Sequence, residues 1–324
     1  MKTYKDFYTL IEQRIASLSF DGNPRELYDP LAYMLSLGGK RLRPVLVMMA
    51  NDLFDGNPEE AIPAALAAEV FHNFSLVHDD IMDKADIRRG KPTVHKKWNE
   101  TVGILSGDLM MIKAIQLLCE TKTTRLKELL EVFNATAIEV CEGQQIDMNF
   151  ETRTDVSVDE YIHMITLKTA VLLGGSLKLG ALVANASAEN ANHLYDFGKN
   201  IGIAFQIQDD LLDSFGEGEK VGKKIGGDIA SNKKTLLLIK AFENADTLTR
   251  QEIEQLMHNS MVSEQQKIEG VLRIYNQLNV KDIANQLKNE YLQKAFSHLE
   301  KVQVTDVKKE VLKATALDLM ERMS

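Results

Sequence analysis

Beyond Pro92 the chain has no proline; its six stand at positions 24, 30, 44, 58, 63 and 92 of 324. Because proline ends or kinks helices, residues 93 to 324 can form long uninterrupted ones. Cysteine is scarce as well. Cys119 and Cys141 alone make neither a disulfide framework nor a metal-ligand spacing, which points to a reducing, cytoplasmic setting. Basic residues fall short of acidic ones, 38 against 47, leaving a net charge of −9. That balance argues against nucleic acid as a partner. No stretch free of Asp, Glu, Lys and Arg exceeds ten residues, so no transmembrane segment is expected. The start, MKTYKDFYTLIEQRI, lacks the apolar run of a secretory signal. A G-x-x-x-x-G-K-[ST] phosphate loop is missing, and so is the D-x-D-x-D-G loop of an EF-hand.

What remains is an ordinary globular composition, 44% hydrophobic and 26% charged. Apolar residues recur at helical spacing, as in Ile104, Leu105, Leu109, Ile112, Ile115 and Leu118. Alternating, strand-like runs are scarce. Breaks fall at DGNP (21–24 and 55–58), ETRTDVS (151–157) and GEGEKVGKKIGGD (216–228). The pattern predicts an all-α protein of about ten or more helices in a single domain, residues 1–324. Past residue 245 the sequence becomes more charged, as expected of amphipathic helices that close a bundle.

Two acidic clusters stand out: HDDIMD at 78–83 and QDDLLD at 208–213, 130 residues apart. In a helix, positions i and i+4 lie only ~40° apart in azimuth and ~6 Å apart along the axis. Asp79 therefore pairs with Asp83, and Asp209 with Asp213. Asp80 and Asp210 turn ~100° aside, into supporting positions. A solvated acidic face explains one such cluster well. Two of identical spacing, each preceded by apolar sequence, favour carboxylate sites for a hard cation such as Mg²⁺, which bridges to phosphate oxygens.

Cationic motifs supply the other half of a polyanion site. GGKRLRP (38–44) carries Lys40, Arg41 and Arg43, and RRG (88–90) follows the first acidic cluster. Lys168 and Thr169 lie in ITLKTA; Lys223, Lys224, Lys233 and Lys234 follow the second cluster. Taken singly, each is more often a solvated surface charge. Arginine's planar fork nevertheless suits bidentate phosphate binding, and lysine acts as a point charge.

In this order and spacing, from about residue 25 to 240, the motifs resemble those of the trans-isoprenyl diphosphate synthase family. The resemblance implies an all-α bundle around a central cavity, with the two acidic helices facing each other, usually as a homodimer. It implies Mg²⁺, three ions per active site when substrate is bound, and a prenyltransferase reaction. Isopentenyl diphosphate would be condensed head-to-tail with an allylic diphosphate (dimethylallyl, geranyl or farnesyl), releasing diphosphate. Residue by residue, Asp79, Asp83 and Asp209 match the principal metal ligands, with Asp80, Asp210 and Asp213 supporting. Arg88, Lys168 and Lys223 match groups that hold the allylic diphosphate. Lys40, Arg43, His72 and Arg89 match the isopentenyl diphosphate site. Thr169, Gln206 and Lys233 match residues lining the reacting end. Lys224 and Leu237 depart from the family, which often has proline at both places. Segment 216–227 is a candidate lid. A terpene cyclase would lack the second DDxxD motif and GGKRLRP, and a non-catalytic subunit would have lost some of these residues.

Chain length should depend on bulk just before Asp79. Phe71 and Phe74 stand eight and five positions upstream, ~12 and ~7.5 Å down a helix axis. An ideal wheel places Phe71 and Ser75 nearer the azimuth of Asp79 than Phe74. The resemblance instead assigns the floor to Phe74 with Ser75, and Phe71 as a second plug. A fifteen- to twenty-carbon product is the expectation.

Overall fold

The computed structural model describes residues 2–216, 225–259 and 261–321. They are overwhelmingly helical. The chain divides into two compact units. The first comprises Met1–Ala137, Leu172–Tyr195 and Glu300–Leu312; the second comprises Ile138–Val171, Asp196–Leu299 and Lys313–Ser324.

In the first unit, α1 (Tyr4–Ala16), α2 (Arg25–Ser36), α3 (Leu42–Leu53), α4 (Pro58–Met82), α5 (Val94–Lys97) and α6 (Glu100–Cys119) follow one another. Helix α4 packs against both α3 and α6. It begins with Asn57 accepting from the Glu59 amide, Pro58 at its first position, and Glu59 and Glu60 in its first turn, all favourable there. It ends in a Schellman arrangement: Ala85 N–H donates to Asp80 O, Lys84 N–H donates to Ile81 O, and Lys84 takes a left-handed φ of 52°.

One element was not foreseen. Ile87–Arg88 and Lys91–Pro92 form a two-stranded antiparallel hairpin, β1 and β2, with Arg88 opposite Lys91. Its two turn residues, Arg89 (φ 53°) and Gly90 (φ 73°), both have the positive φ of a type I′ turn. Thus RRG is a turn as well as a charge cluster.

The periodic apolar stripe of α6 also behaves unexpectedly. Its buried face is made of Gly103, Ser106, Gly107, Met110, Ala114 and Leu118. Ile104, Leu105 and Ile112 are 46%, 53% and 54% exposed. Small residues let α4 approach closely: a Cβ at Gly107 would stand 2.2 Å from His78 Nε2. Bulk is thereby left on the outer face.

Both units contribute to α7 (Leu126–Phe150), α9 (Val171–Val183), α10 (Ala188–Phe215), α15 (Val280–Lys301) and α16 (Asp306–Glu321). The second unit also holds α8 (Val158–Ile165), a π-helical turn at Thr166–Ala170, α11 (Gly227–Ala230), α12 (Leu236–Asn244), α13 (Thr247–His258) and α14 (Glu264–Gln277). Its core joins Tyr161, Ile203, Ile207, Leu211, Leu236, Leu238, Ile274 and Tyr275.

By length and composition two helical runs could cross a membrane, although charge-free stretches are short. They are Glu100–Cys119 and Val158–Val183. The second is 78% buried within the protein, as a core helix is.

Candidate active site

Both acidic motifs occupy helix C-termini. Asp79 and Asp80 lie in the last turn of α4 and Asp83 caps it; Asp209, Asp210 and Asp213 lie in the last two turns of α10, and neither last turn has a basic residue. There the helix dipole disfavours carboxylates, by roughly 0.3–1 kcal/mol each when exposed. Cations must offset that cost.

In the first motif one offset is visible. Arg88 Nε donates to both oxygens of Asp80, at 2.9 and 2.8 Å, and its Nη2 stands 3.4 Å from Asp79. Asp80 is buried, and lost hydration raises its pKa in spite of Arg88. Asp80 therefore holds the arginine, while Asp79 stays partly accessible and Asp83 is exposed.

Around this motif the first unit gathers its cations. Gly39 (φ 132°) passes so close to Arg89 that a Cβ there would meet the guanidinium carbon at 2.7 Å, and Arg89 donates to Gly38 O. Lys40 is exposed, and its carbonyl accepts from the Tyr4 hydroxyl. Arg43 Nε is buried without a hydrogen-bond partner among the described residues. Burial first, then Arg89, pulls the Arg43 pKa down to about 10 although Glu69 opposes both. Burial, followed by Arg43, Arg89, Arg88 and Arg41, keeps His72 well below its usual 6.5. Arg41 is different. It is buried between Glu12 (2.5 Å) and Glu69 (2.8 Å) and donates to Leu35 O, so it is a structural cation.

In the second motif neutral groups hold Asp210. Tyr161 donates its hydroxyl to Asp210 at 2.6 Å, and Leu236 N–H donates to the same oxygen at 3.2 Å. Burial, above all, pushes Asp210 up to about 7. Asp213 accepts from Asp228 N–H at 3.0 Å, and its carbonyl accepts from Gly226 N–H at 2.7 Å. Lys233 stands 3.8 Å from Asp228. Thr169 donates to Gln206 at 3.4 Å. Lys168 donates to Asp147 at 2.5 Å.

A π-helical turn presents Lys168 and Thr169 and lies close against α7: a Cβ at Gly143 would lie 2.2 Å from Lys168 N. Leu237, where the family often has proline, is buried in the first turn of α12; Thr235 still caps that helix. Lys223, Lys224 and most of the candidate lid lie outside the described residues.

At the upstream end of the first motif, Phe71 is 1% exposed. Its ring centroid lies 5.5 Å from Phe74 and 5.3 Å from Phe133. Phe74 in turn packs edge-on against His78 at 4.8 Å. Ser75 donates to His72 O, which directs its hydroxyl to the helix backbone.

The polyprenyl synthetase family pattern matches residues 24–275. The chain belongs to that family. This polyprenyl synthetase is 34% identical over 323 residues to the short chain isoprenyl diphosphate synthase of Methanothermobacter thermautotrophicus, covering 99% of this chain and 98% of that one. A crystal structure of a geranylgeranyl pyrophosphate synthase superposes with a TM-score of 0.94 at 44% identity, over 100% of each chain. A polyprenyl synthase from Caulobacter crescentus CB15, crystallised with calcium and isoprenyl diphosphate, matches at a TM-score of 0.86 and 25% identity over 99% of this chain and 95% of that one.

A divalent cation suits the donor set of this polyprenyl synthetase. No three His, Cys, Asp or Glu side chains already converge among the described residues. Each motif instead offers carboxylate oxygens in pairs. Mg²⁺ is commonly held by one or two carboxylates, with substrate phosphates and water completing its octahedron.

Three residues of these contacts are not marked in the sequence. Asp147 lies 21 positions from its lysine, although GQQID is a visible polar interruption in α7. Asp228 lies in GGD (226–228), where nothing local marks its contacts with Asp213 and Lys233. Phe133 gave no local signal; only packing brings it to Phe71.

Proposed function

We infer that this prenyltransferase condenses isopentenyl diphosphate with an allylic diphosphate to give a fifteen- to twenty-carbon all-trans prenyl diphosphate. The observation that carries the reading is in the first unit. At a helix C-terminus Asp79 and Asp80 hold Arg88, whose charge acts on His72 together with that of Arg43, and the buried Arg43 Nε has no hydrogen-bond partner among the described residues. Acids for a metal and cations for diphosphate are thus assembled together.

Asp79 and Asp83, and Asp209 and Asp213 with Asp228, would hold Mg²⁺, with Asp80 and Asp210 in support. Bound metal supplies the positive charge that stabilises the leaving diphosphate. Arg88, Lys168 and Lys223 grip that diphosphate as the allylic carbon–oxygen bond breaks, so the charge develops against preorganised donors. Lys40, Arg43, His72 and Arg89 hold isopentenyl diphosphate. With its imidazole neutral, His72 hydrogen-bonds without adding a charge. The isopentenyl double bond attacks the allylic cation, a new carbon–carbon bond forms, and a proton leaves to the departing diphosphate. Thr169, Gln206 and Lys233 line the reacting end, and apolar walls exclude water.

Phe71 and Phe74, backed by Phe133, form the floor for the growing chain, next to Ser75. Residues 1–324 act as one catalytic domain, since the family pattern over residues 24–275 runs through both units. The protein works as a homodimer in the cytoplasm. The exposed Ile104, Leu105 and Ile112 of α6 support the dimer, and two free cysteines support the compartment.

Asp79→Ala and Asp209→Ala test the metal assignment. Each should lower turnover by orders of magnitude with unchanged helical circular dichroism, and a chelator should abolish wild-type activity. Near-normal turnover in either variant, or activity in excess chelator, refutes it.

A further inference from the structure

Each acidic motif turns its middle carboxylate into the protein, but the two are anchored differently. Asp80 is held by a cation, Arg88. Asp210 has no ion pair among the described residues. It accepts instead from the Tyr161 hydroxyl at 2.6 Å, from Leu236 N–H at 3.2 Å and, weakly, from Gln206 at 3.5 Å. Those contacts join three elements. Tyr161 comes from α8, on the same helical run that leads through the π turn into Lys168. Asp210 belongs to the motif helix, α10. Leu236 N–H is the first amide of α12, an orphan donor that Asp210 satisfies, and Lys233 lies just before that helix.

We propose that Tyr161 is a positioning residue: through Asp210 it fixes how Asp209 and Asp213 are presented, and couples them to the Lys233 segment. The proposal deepens the function above and rests on its placement of metal at Asp209 and Asp213. Tyr161 is 2% exposed and packed in the core, so its ring cannot swing away. Asp210 is 4% exposed and has no solvent to replace a lost donor. Removing the hydroxyl leaves a buried carboxylate oxygen short of a partner, a loss the site relieves by rotating that side chain. Rotation would release the Leu236 amide and shift the adjacent acids. A buried tyrosine that served only to fill the core would leave metal binding untouched.

The test uses full-length protein, as wild type, Tyr161→Phe, Asp210→Asn and the double variant. Calorimetry follows binding of Mg²⁺ with inorganic diphosphate, alongside kcat and the KM for isopentenyl diphosphate. Phe preserves the ring and its packing, so the fold should persist by circular dichroism. The expected result is about five- to tenfold weaker Mg²⁺-dependent diphosphate binding in Tyr161→Phe. It should come with a lower kcat and an unchanged isopentenyl diphosphate KM. In the Asp210→Asn background the same substitution should have no further effect. Binding within about twofold of wild type, or an undiminished loss in that background, overturns the proposal alone. Wild-type protein that binds no diphosphate with Mg²⁺ overturns the proposed function, and this inference with it.

Discussion

His72 illustrates what its neighbours do to a single side chain. Burial and then the charges of Arg43, Arg89, Arg88 and Arg41 hold its pKa well below 6.5. As pH falls through 6.5 the unfolded chain binds a proton that the folded imidazole refuses. His72 therefore contributes stability above 6.5 that is lost as pH drops towards its folded value. Melting temperature followed from about pH 8 to about pH 5 should decline in that window, and less steeply in His72→Gln. Parallel curves would contradict the shift. Arg43→Ala should raise the KM for isopentenyl diphosphate about ten- to a hundredfold, more than that for the allylic substrate. Steady-state kinetics with each substrate varied in turn would show it, and equal effects would count against the site. Charges at fixed spacing are local signals, so the sequence alone marks Asp79, Asp83, Lys40, Arg43 and Arg88 as candidates. It does not mark their partners. That Arg41 would be buried between Glu12 and Glu69, or that Lys168 would meet Asp147, depends on helices far apart in sequence.

Helices were the most legible elements, since the absence of proline and the three- and four-residue periodicity are both local. Short irregular pieces escaped. The hairpin at 87–92 is only four paired residues long, and it follows from Gly90 and Arg89 accepting positive φ. The π turn at 166–170 leaves no periodicity, and its close approach to a glycine in another helix is not a local signal. Gly143→Ala tests that approach directly. With a Cβ at 2.2 Å from Lys168 N, the turn must shift, at roughly 1–3 kcal/mol of stability. Turnover should fall at least tenfold, because Lys168 would be displaced from Asp147 (a shift of 1.4 kcal/mol is already tenfold). Melting temperature and kcat unchanged from wild type would contradict the packing account.

For the whole molecule, periodicity alone was misleading about α6. It marked a helix correctly but could not say that Gly103 and Gly107 would face α4 while Ile104, Leu105 and Ile112 faced outward. If that face is a dimer surface, Ile104→Glu with Ile112→Glu should yield monomers by analytical ultracentrifugation. A variant that sediments like wild type would contradict it. In the proposed function the aromatic floor would set the size of the product. Phe74→Ala, and more strongly Phe71→Ala with Phe74→Ala, should lengthen it by one or more five-carbon units, whereas an unchanged product would misplace the floor. Most direct of all is product identification. Purified protein is incubated with Mg²⁺, isopentenyl diphosphate and dimethylallyl, geranyl or farnesyl diphosphate, and the dephosphorylated products are identified by mass spectrometry. The account predicts all-trans prenyl chains of fifteen to twenty carbons, formed only with the metal present; chains of thirty carbons or more, or no condensation with any primer, would contradict it.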